Sequence, residues 1–283
     1  MQGTSGPAQA APGFRLGAES QEDVRPMAEH TVKAYDEELN HLAADVARMG
    51  GLAEAGVADA LETVTRRDTT LAQTVIERDL KLDALNGEIE RRAIRMIALR
   101  QPVAQDLRST VAAMKIASNL ERIGDLAKNI AKRGVVLSES EPITPLTRSI
   151  DRMGRLVGGR LKDVLDAYTG SEIERAVRVW SSDDEVDEHY NALFRELLTY
   201  MMGDPRTITA CAHLLFIAKN LERIGDHATN IAEIVHYEIS GEELPDDRPK
   251  WDGLRQDGPP PRRRKAKAGA LSPTKAGGQG DVT

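Results

Sequence analysis

Apolar residues recur at helical spacing along most of the chain. Ile116, Leu120, Ile123, Ala127 and Ile130 follow one another at intervals of four and three residues. This spacing forms the stripe that one face of an α-helix turns toward a core. Similar patterns, bounded by turn residues, predict six long helices, at roughly 27–66, 69–100, 103–137, 145–168, 172–202 and 205–240.

The second half of this pattern repeats the first. A shift of 104 residues places Asp79 on Asp183, and a shift of 101 places Asn119–Asp125 on the identical string Asn220–Asp226. The three-residue difference falls in the turn before the last helix of each half, and turns tolerate deletions that packed helices do not. The duplication predicts an all-α fold of two tandem homologous three-helix bundles, packed or hinged about a pseudo-twofold relation.

The two bundles leave shorter segments between and around them. The beginning of the chain has neither the basic nor the apolar region of a signal peptide, so we expect a disordered leader. The basic run Arg262–Lys265 is typical of a solvated, disordered tail, with docking to anionic lipid or RNA as the alternative. The predicted organisation is a leader at 1–26, a first bundle at 27–137, a linker at 138–145, a second bundle at 146–242 and a tail at 243–283.

Composition narrows the class of protein. Cys211 is the only cysteine, which excludes an intrachain disulfide and indicates a reducing compartment, and its apolar neighbours predict a buried, inert thiol. No segment reaches the ~18 to 20 apolar residues of a membrane span, so we expect a cytoplasmic protein. The net charge is −7, although nine basic and only five acidic residues follow Leu244. The acidic body disfavours nucleic acid as a partner and suits cations.

Two carboxylates stand one turn apart in each copy of the repeated string. At about 100° per residue, Glu121 and Asp125 both lie nearly opposite Ile123 on the predicted helix. Glu222 and Asp226 repeat the arrangement. Like charges at this spacing cost a helix a few tenths of a kcal/mol. A pair that is kept in both copies indicates a compensating cation.

The middle helix of each half adds a second carboxylate pair, Asp79 with Asp83 and Asp183 with Asp187. We expect Asp79 and Asp83 at the flank of the core stripe, not buried. Four carboxylates can then meet on one outer face of each bundle and bind a metal. The alternative is a solvated acidic face that neighbouring cations neutralise, the candidates being Arg122, Lys128 and Arg78.

Gly124 and Gly225 interrupt the same helices, and each costs ~1 kcal/mol relative to alanine. We expect these glycines to permit close helix approach or to leave space beside the carboxylates.

These strings resemble the PhoU family, which regulates bacterial phosphate uptake. The resemblance rests on Leu120–Asp125 and Leu221–His227, with further matches at Val75–Asp79 and Gln101-Pro102, and it covers residues 27–242. It implies a cytoplasmic, homodimeric or oligomeric adaptor without enzymatic activity, which reaches the membrane only through partners. Such adaptors link the phosphate transporter PstSCAB, through its ATPase PstB, to the histidine kinase PhoR and the response regulator PhoB. They repress the phosphate-starvation response when phosphate is plentiful.

The resemblance also implies metal binding through the acidic motifs, including multinuclear iron clusters. All-oxygen ligands suit Mg, Mn or Fe, whereas Zn usually prefers nitrogen or sulfur. The chain departs from the family pattern where Asp106 has no acidic counterpart at Thr207, so we expect unequal sites. The implied ligands are Asp79, Asp83, Glu121 and Asp125 in the first half, and Asp183, Asp187, Glu222 and Asp226 in the second.

Two other classes of function compete with the adaptor. One is a phosphohydrolase with metals bridged by carboxylates, and the other is a purely structural helical spacer. The sequence holds no Ser-His-Asp set, P-loop or dinucleotide fingerprint. The acidic rows also lack a shared His or Lys for acid–base catalysis, which favours the adaptor over an enzyme.

Overall fold

Seven α-helices account for nearly all the residues of the computed structural model, which describes residues 25–182 and 184–245, with side chains from Tyr35 onward. No strand occurs within these ranges, and the all-α fold predicted from the sequence is confirmed. The leader lies outside them except for its last two residues, as does the tail beyond Pro245. The helices are α1 (Arg25–Arg66), α2 (Thr69–Arg100), α3 (Ala104–Ser138), α4 (Thr144–Gly170), α5 (Ile173–Ser181), α6 (Asp184–Gly203) and α7 (Ile208–Ser240), with a 3₁₀ turn at Pro205–Thr207.

Local side-chain hydrogen bonds set several helix ends. Asp68 precedes α2, and its carboxylate accepts from the backbone N–H groups of Thr70 and Leu71 at 2.9 and 3.3 Å, which is an N-cap. The helix expected at 172–202 is divided into α5 and α6. At the division the Ser181 and Ser182 hydroxyls each donate to a carbonyl three residues earlier, both at 3.1 Å. Such bonds compete with the helical backbone pattern.

The two halves pack through antiparallel helix pairs. Along α3 and α7, Gln105 donates to the Glu238 carbonyl at 2.8 Å. At the middle of the same pair, Asn119 Oδ1 lies 2.9 Å from His227 Nδ1. Residue numbers rise along α3 as they fall along α7, so the two helices are antiparallel. The two repeats therefore face each other across a pseudo-twofold relation. Helix α1 packs on α4 as well, α2 covers α1 and α3, and α5 and α6 cover α7 and α4.

One apolar core runs through both halves. The stripe predicted on α3 is buried, and so are its counterparts on α7, among them Leu221 and Ile224. The burial of Cys211 is confirmed, and burial raises the pKa of its thiol. Among the helices described, none combines the length and apolar character that crossing a membrane requires.

Candidate functional site

Four carboxylates of the first half meet where α2 packs against α3. We call Asp79, Asp83, Glu121 and Asp125 the first acidic cluster. Burial raises the pKa of Glu121, and the negative charges of the other three members raise it further against the opposing effect of Arg122. Burial, followed by the charge of Asp79, likewise raises the pKa of Asp83. The four carboxylates therefore lie within electrostatic range of one another.

The expectation that Asp79 lies unburied at the flank was wrong. Its side chain is only 3% exposed, whereas Asp83 is exposed as expected. The reason is the close approach of α2 to α3 at Gly124. A Cβ there would lie 2.5 Å from Leu82 Cδ1 and 3.4 Å from Asp79 Oδ1. The close-approach role expected of Gly124 is thus confirmed, and the same approach removes Asp79 from solvent.

The ammonium group of Lys128 joins two members of the first acidic cluster. Lys128, one turn after Asp125 on α3, donates to Asp125 Oδ1 at 2.6 Å and also to Asp79 Oδ2. Burial alone would lower the pKa of Lys128. The two hydrogen bonds and the charges of both carboxylates outweigh that effect and raise it above the ordinary lysine value. The lysine is therefore charged across the physiological range.

A second cation, Arg122, contacts two members of the cluster. Arg122 lies 3.4 Å from a Glu121 oxygen and 3.5 Å from Asp125 Oδ2. Two of the three cations named from the sequence therefore contact the cluster. The third, Arg78, pairs instead with Asp59 at 2.7 Å.

The corresponding region of the second half is built differently. We call Asp187, Glu222 and Asp226, with Asp183, the second acidic cluster, although Asp183 lies outside the described residues. Glu222 Oε1 accepts from Lys219 at 2.6 Å. Its other oxygen, Oε2, is buried without a hydrogen-bond partner among the described residues, and the side chain is 14% exposed.

The residues around the second acidic cluster explain the difference. The duplication places Thr229 at the position of Lys128, and the Thr229 hydroxyl donates to the Gly225 carbonyl at 3.1 Å. A Cβ at Gly225 would meet Val186 at 3.5 Å, an ordinary contact distance, so the packing at Gly225 leaves room for a side chain that the packing at Gly124 does not. Arg160, whose side chain is 6% exposed, lies 3.5 Å from Glu185 near the start of α6.

Within the described ranges, no three His, Cys, Asp or Glu side chains are arranged to hold a metal ion. In the first acidic cluster the ammonium of Lys128 stands between the two aspartates that a metal would need. Each cluster retains one buried carboxylate oxygen without a hydrogen-bond partner in the part of the chain that the structure describes, Asp79 Oδ1 and Glu222 Oε2, which is the kind of donor that a hard cation takes up. The surroundings of the predicted ligands therefore differ between the two halves, and metal binding by them stays a prediction.

The match to known proteins covers the duplicated part of the chain. The PhoU domain model matches residues 46–134 and again residues 150–235. The chain belongs to the PhoU family. Each matched PhoU domain contains one copy of the acidic string, so the repeat found in the sequence is the repeat of the family.

Curated relatives carry the description phosphate-specific transport system accessory protein PhoU homolog. One from Caulobacter vibrioides is 67% identical over 230 residues, which are 81% of this chain and all of the relative. One from Rhizobium meliloti is 48% identical over 223 residues, 79% of this chain and 94% of the relative. The crystal structure of PhoU from Pseudomonas aeruginosa superposes with a TM-score of 0.72 at 36% identity, covering 74% of this chain and all of that one.

The two PhoU domains of this chain also differ at the histidine of the second signature. His227 stands where the first domain has Leu126, and for that reason the sequence argued against a shared metal ligand. The structure places it against Asn119 of the other PhoU domain. Burial, then the charges of Arg223 and Arg122, lowers its pKa. The repeated acidic motif therefore also contributes a contact between the two domains, and no local sequence pattern predicts that contact.

Sequence reasoning missed Arg160 altogether. Its counterpart in the first PhoU domain is Gly56, so the duplication gives no signal for a cation at this position. A buried arginine on an otherwise apolar helix face is recognisable only once its partners on neighbouring helices are known.

Proposed function

We propose that this protein is a regulatory accessory protein of phosphate uptake. It is a cytoplasmic, non-catalytic adaptor that links a phosphate ABC transporter to a PhoR-type histidine kinase and a PhoB-type response regulator. When phosphate is plentiful, it represses the phosphate-starvation response. The 67% identity to a PhoU accessory protein along that relative's whole length is the observation that carries this proposal.

The geometry of the first acidic cluster favours an adaptor over a phosphohydrolase. One carboxylate oxygen of Asp125 contacts Lys128, and the other contacts Arg122. Asp79 is buried against the same ammonium. A two-metal hydrolase needs such oxygens to bridge its metals or to activate water, and here they bind side-chain cations.

Metal binding is a separate part of the proposal. We place it in the second acidic cluster, with Glu222 and Asp226 from α7 and Asp187 from α6, and with Asp183 as the fourth ligand. The support is the buried, unpartnered Oε2 of Glu222, in a domain that has Thr229 where the first has Lys128. A hard cation such as Mg²⁺, Mn²⁺ or iron suits these oxygen donors better than Zn²⁺ does.

A deletion strain tests the regulatory role. Removing the gene should switch on a phosphate-starvation reporter in high phosphate, and the wild-type gene supplied in trans should switch it off. Reporter activity that stays low after deletion contradicts the proposal. Pull-down of the transporter ATPase and of the kinase by the purified protein tests the adaptor role, and capture of neither contradicts it.

An assay for turnover tests the alternative. Purified protein is incubated with Mn²⁺ or Mg²⁺ and a phosphate ester. We expect no turnover above the level of a Glu121→Ala, Glu222→Ala double variant. Robust hydrolysis that the double variant loses would overturn the adaptor in favour of a phosphohydrolase.

Size-exclusion chromatography with light scattering tests self-association. We propose a homodimer, so a mass near twice the 31.0 kDa of one chain is expected. A monomeric mass at micromolar concentration contradicts it.

A further inference from the structure

We infer that Lys128 is the resident cation of the first acidic cluster, and that this cluster takes up a divalent metal only when the lysine side chain is removed. The inference rests on the proposed function only in taking the acidic motifs as potential metal ligands. The two PhoU domains of this chain then differ chemically, because the first carries its cation as a lysine side chain.

Three of the four carboxylate oxygens of Asp79 and Asp125 already contact a cation in the first acidic cluster. Asp125 places Oδ1 2.6 Å from the ammonium of Lys128 and Oδ2 3.5 Å from the guanidinium of Arg122. Asp79 contacts the same ammonium through Oδ2, while its Oδ1 faces the glycine gap at Gly124 and is buried without a hydrogen-bond partner among the residues that the structure describes. A metal that bound Asp79 Oδ1 together with an oxygen of Asp125 would have to displace Lys128 or Arg122 from Asp125.

The burial of Asp79 makes a permanent counter-charge necessary. A carboxylate that is 3% exposed is costly without a paired cation. Lys128 supplies that cation from within the chain and is itself only 21% exposed. Because the ammonium is tethered one turn from Asp125, it is present at every metal concentration, and no free ion has to be captured for the domain to fold.

The second PhoU domain lacks this lysine. Thr229 at the equivalent position is uncharged, and its hydroxyl bonds within its own helix. Cations from other positions contact carboxylates in this region, among them Lys219 with Glu222 and Arg160 with Glu185. Glu222 Oε2 and Asp79 Oδ1 are both buried with no hydrogen-bond partner in the described parts of the chain, and the difference between the domains is the lysine that joins Asp79 to Asp125.

Equilibrium dialysis and electron paramagnetic resonance measure Mn²⁺ binding to the full-length chain and test the inference. Lys128→Thr introduces the residue that the second domain has at the equivalent position. We expect it to bind about one additional Mn²⁺ per chain, at least tenfold tighter than any wild-type binding through these residues. Lys132→Thr, an exposed lysine four residues further along α3, removes the same charge and should gain nothing.

Two further variants separate metal coordination from a change in overall charge. Lys128→Arg keeps the positive charge and should gain no Mn²⁺. Adding Asp125→Asn to Lys128→Thr should abolish the gain. A folded Lys128→Thr protein, as judged by circular dichroism, that gains no Mn²⁺ overturns the inference.

If Lys128→Thr fails to fold, substitutions that keep Lys128 still test the inference. Asp125→Asn alone should leave wild-type Mn²⁺ stoichiometry unchanged, and a loss of bound Mn²⁺ overturns the inference. Glu222→Gln addresses the proposed metal site instead. If wild type binds Mn²⁺ and Glu222→Gln binds it equally well, the proposed site fails, while the result for Asp125→Asn still decides the role of Lys128.

Discussion

The side chain of Leu61 on α1 lies directly over the backbone of Gly154 on α4. A Cβ at Gly154 would come within 2.4 and 2.5 Å of the two Leu61 methyl groups. The duplication repeats the contact in reverse, because a Cβ at Gly50 would lie 2.5 Å from a methyl group of Leu165. Two reciprocal leucine-over-glycine contacts therefore fix the crossing of α1 and α4, and with it the seating of one PhoU domain on the other.

We expect Gly154→Ala to lower the free energy of unfolding. The added methyl group forces the Leu61 side chain to move, and overpacking of this kind costs about 1 to 3 kcal/mol. Urea denaturation followed by circular dichroism measures it. Gly158→Ala, one turn further along α4 with nothing within 4 Å of its Cβ, is the matched control. It should raise stability by about 0.5 to 1 kcal/mol, and equal effects of the two substitutions would contradict the contact.

The two signature glycines should respond differently to alanine. Gly124→Ala places a methyl group 2.5 Å from Leu82 Cδ1, so we expect a loss of about 1 to 3 kcal/mol. Gly225→Ala meets only Val186, at 3.5 Å or more, and should be neutral or stabilising because alanine favours the helix. Thermal unfolding of the two variants side by side is the measurement. A larger loss for Gly225→Ala would refute the close approach of α2 to α3.

Breaking the buried ion pair should be costly. Lys128→Met leaves Asp79 buried without its cation, and the expected loss is about 3 kcal/mol of unfolding free energy. Asp79→Asn removes the buried charge, so the double variant should lose less than the two single variants together. Urea denaturation of all four proteins gives the coupling energy. Strict additivity would show that the two side chains do not interact.

Glu238 should make stability depend on pH in an unusual direction. Burial raises the pKa of its carboxyl, against the opposing effect of a hydrogen bond with Ser109. A group whose pKa is raised on folding binds protons more tightly in the folded state, so stability falls as pH rises from the unfolded pKa through the folded one. Glu238→Gln removes this penalty.

Melting temperatures across a pH series check the Glu238 prediction. Relative to wild type, Glu238→Gln should melt higher at about pH 7, and the advantage should shrink toward about pH 3, where the glutamate is protonated in both states. Glu243→Gln, an exposed neighbour, serves as the control and should leave the pH dependence unchanged. A constant difference between Glu238→Gln and wild type at every pH would contradict the burial effect.

The sequence by itself determined the helices, the duplication and the core stripes. These features depend on local spacing, because residues three or four apart share a helix face whatever the helix packs against. For the same reason the Glu121–Asp125 pair could be placed one turn apart, opposite Ile123, before any fold was known. The identity of the seven-residue string in both halves carried the family resemblance.

Only the tertiary structure decided what those carboxylates contact. The burial of Asp79 depends on how closely α2 approaches α3 at Gly124, and that distance is set by packing between residues far apart in the chain. Lys128 was one of three candidate cations in the sequence, and the fold made it the ion that joins both aspartates. Helical periodicity shows which way a side chain points along its own helix. The depth and charge of the surface that it meets depend on the neighbouring helix.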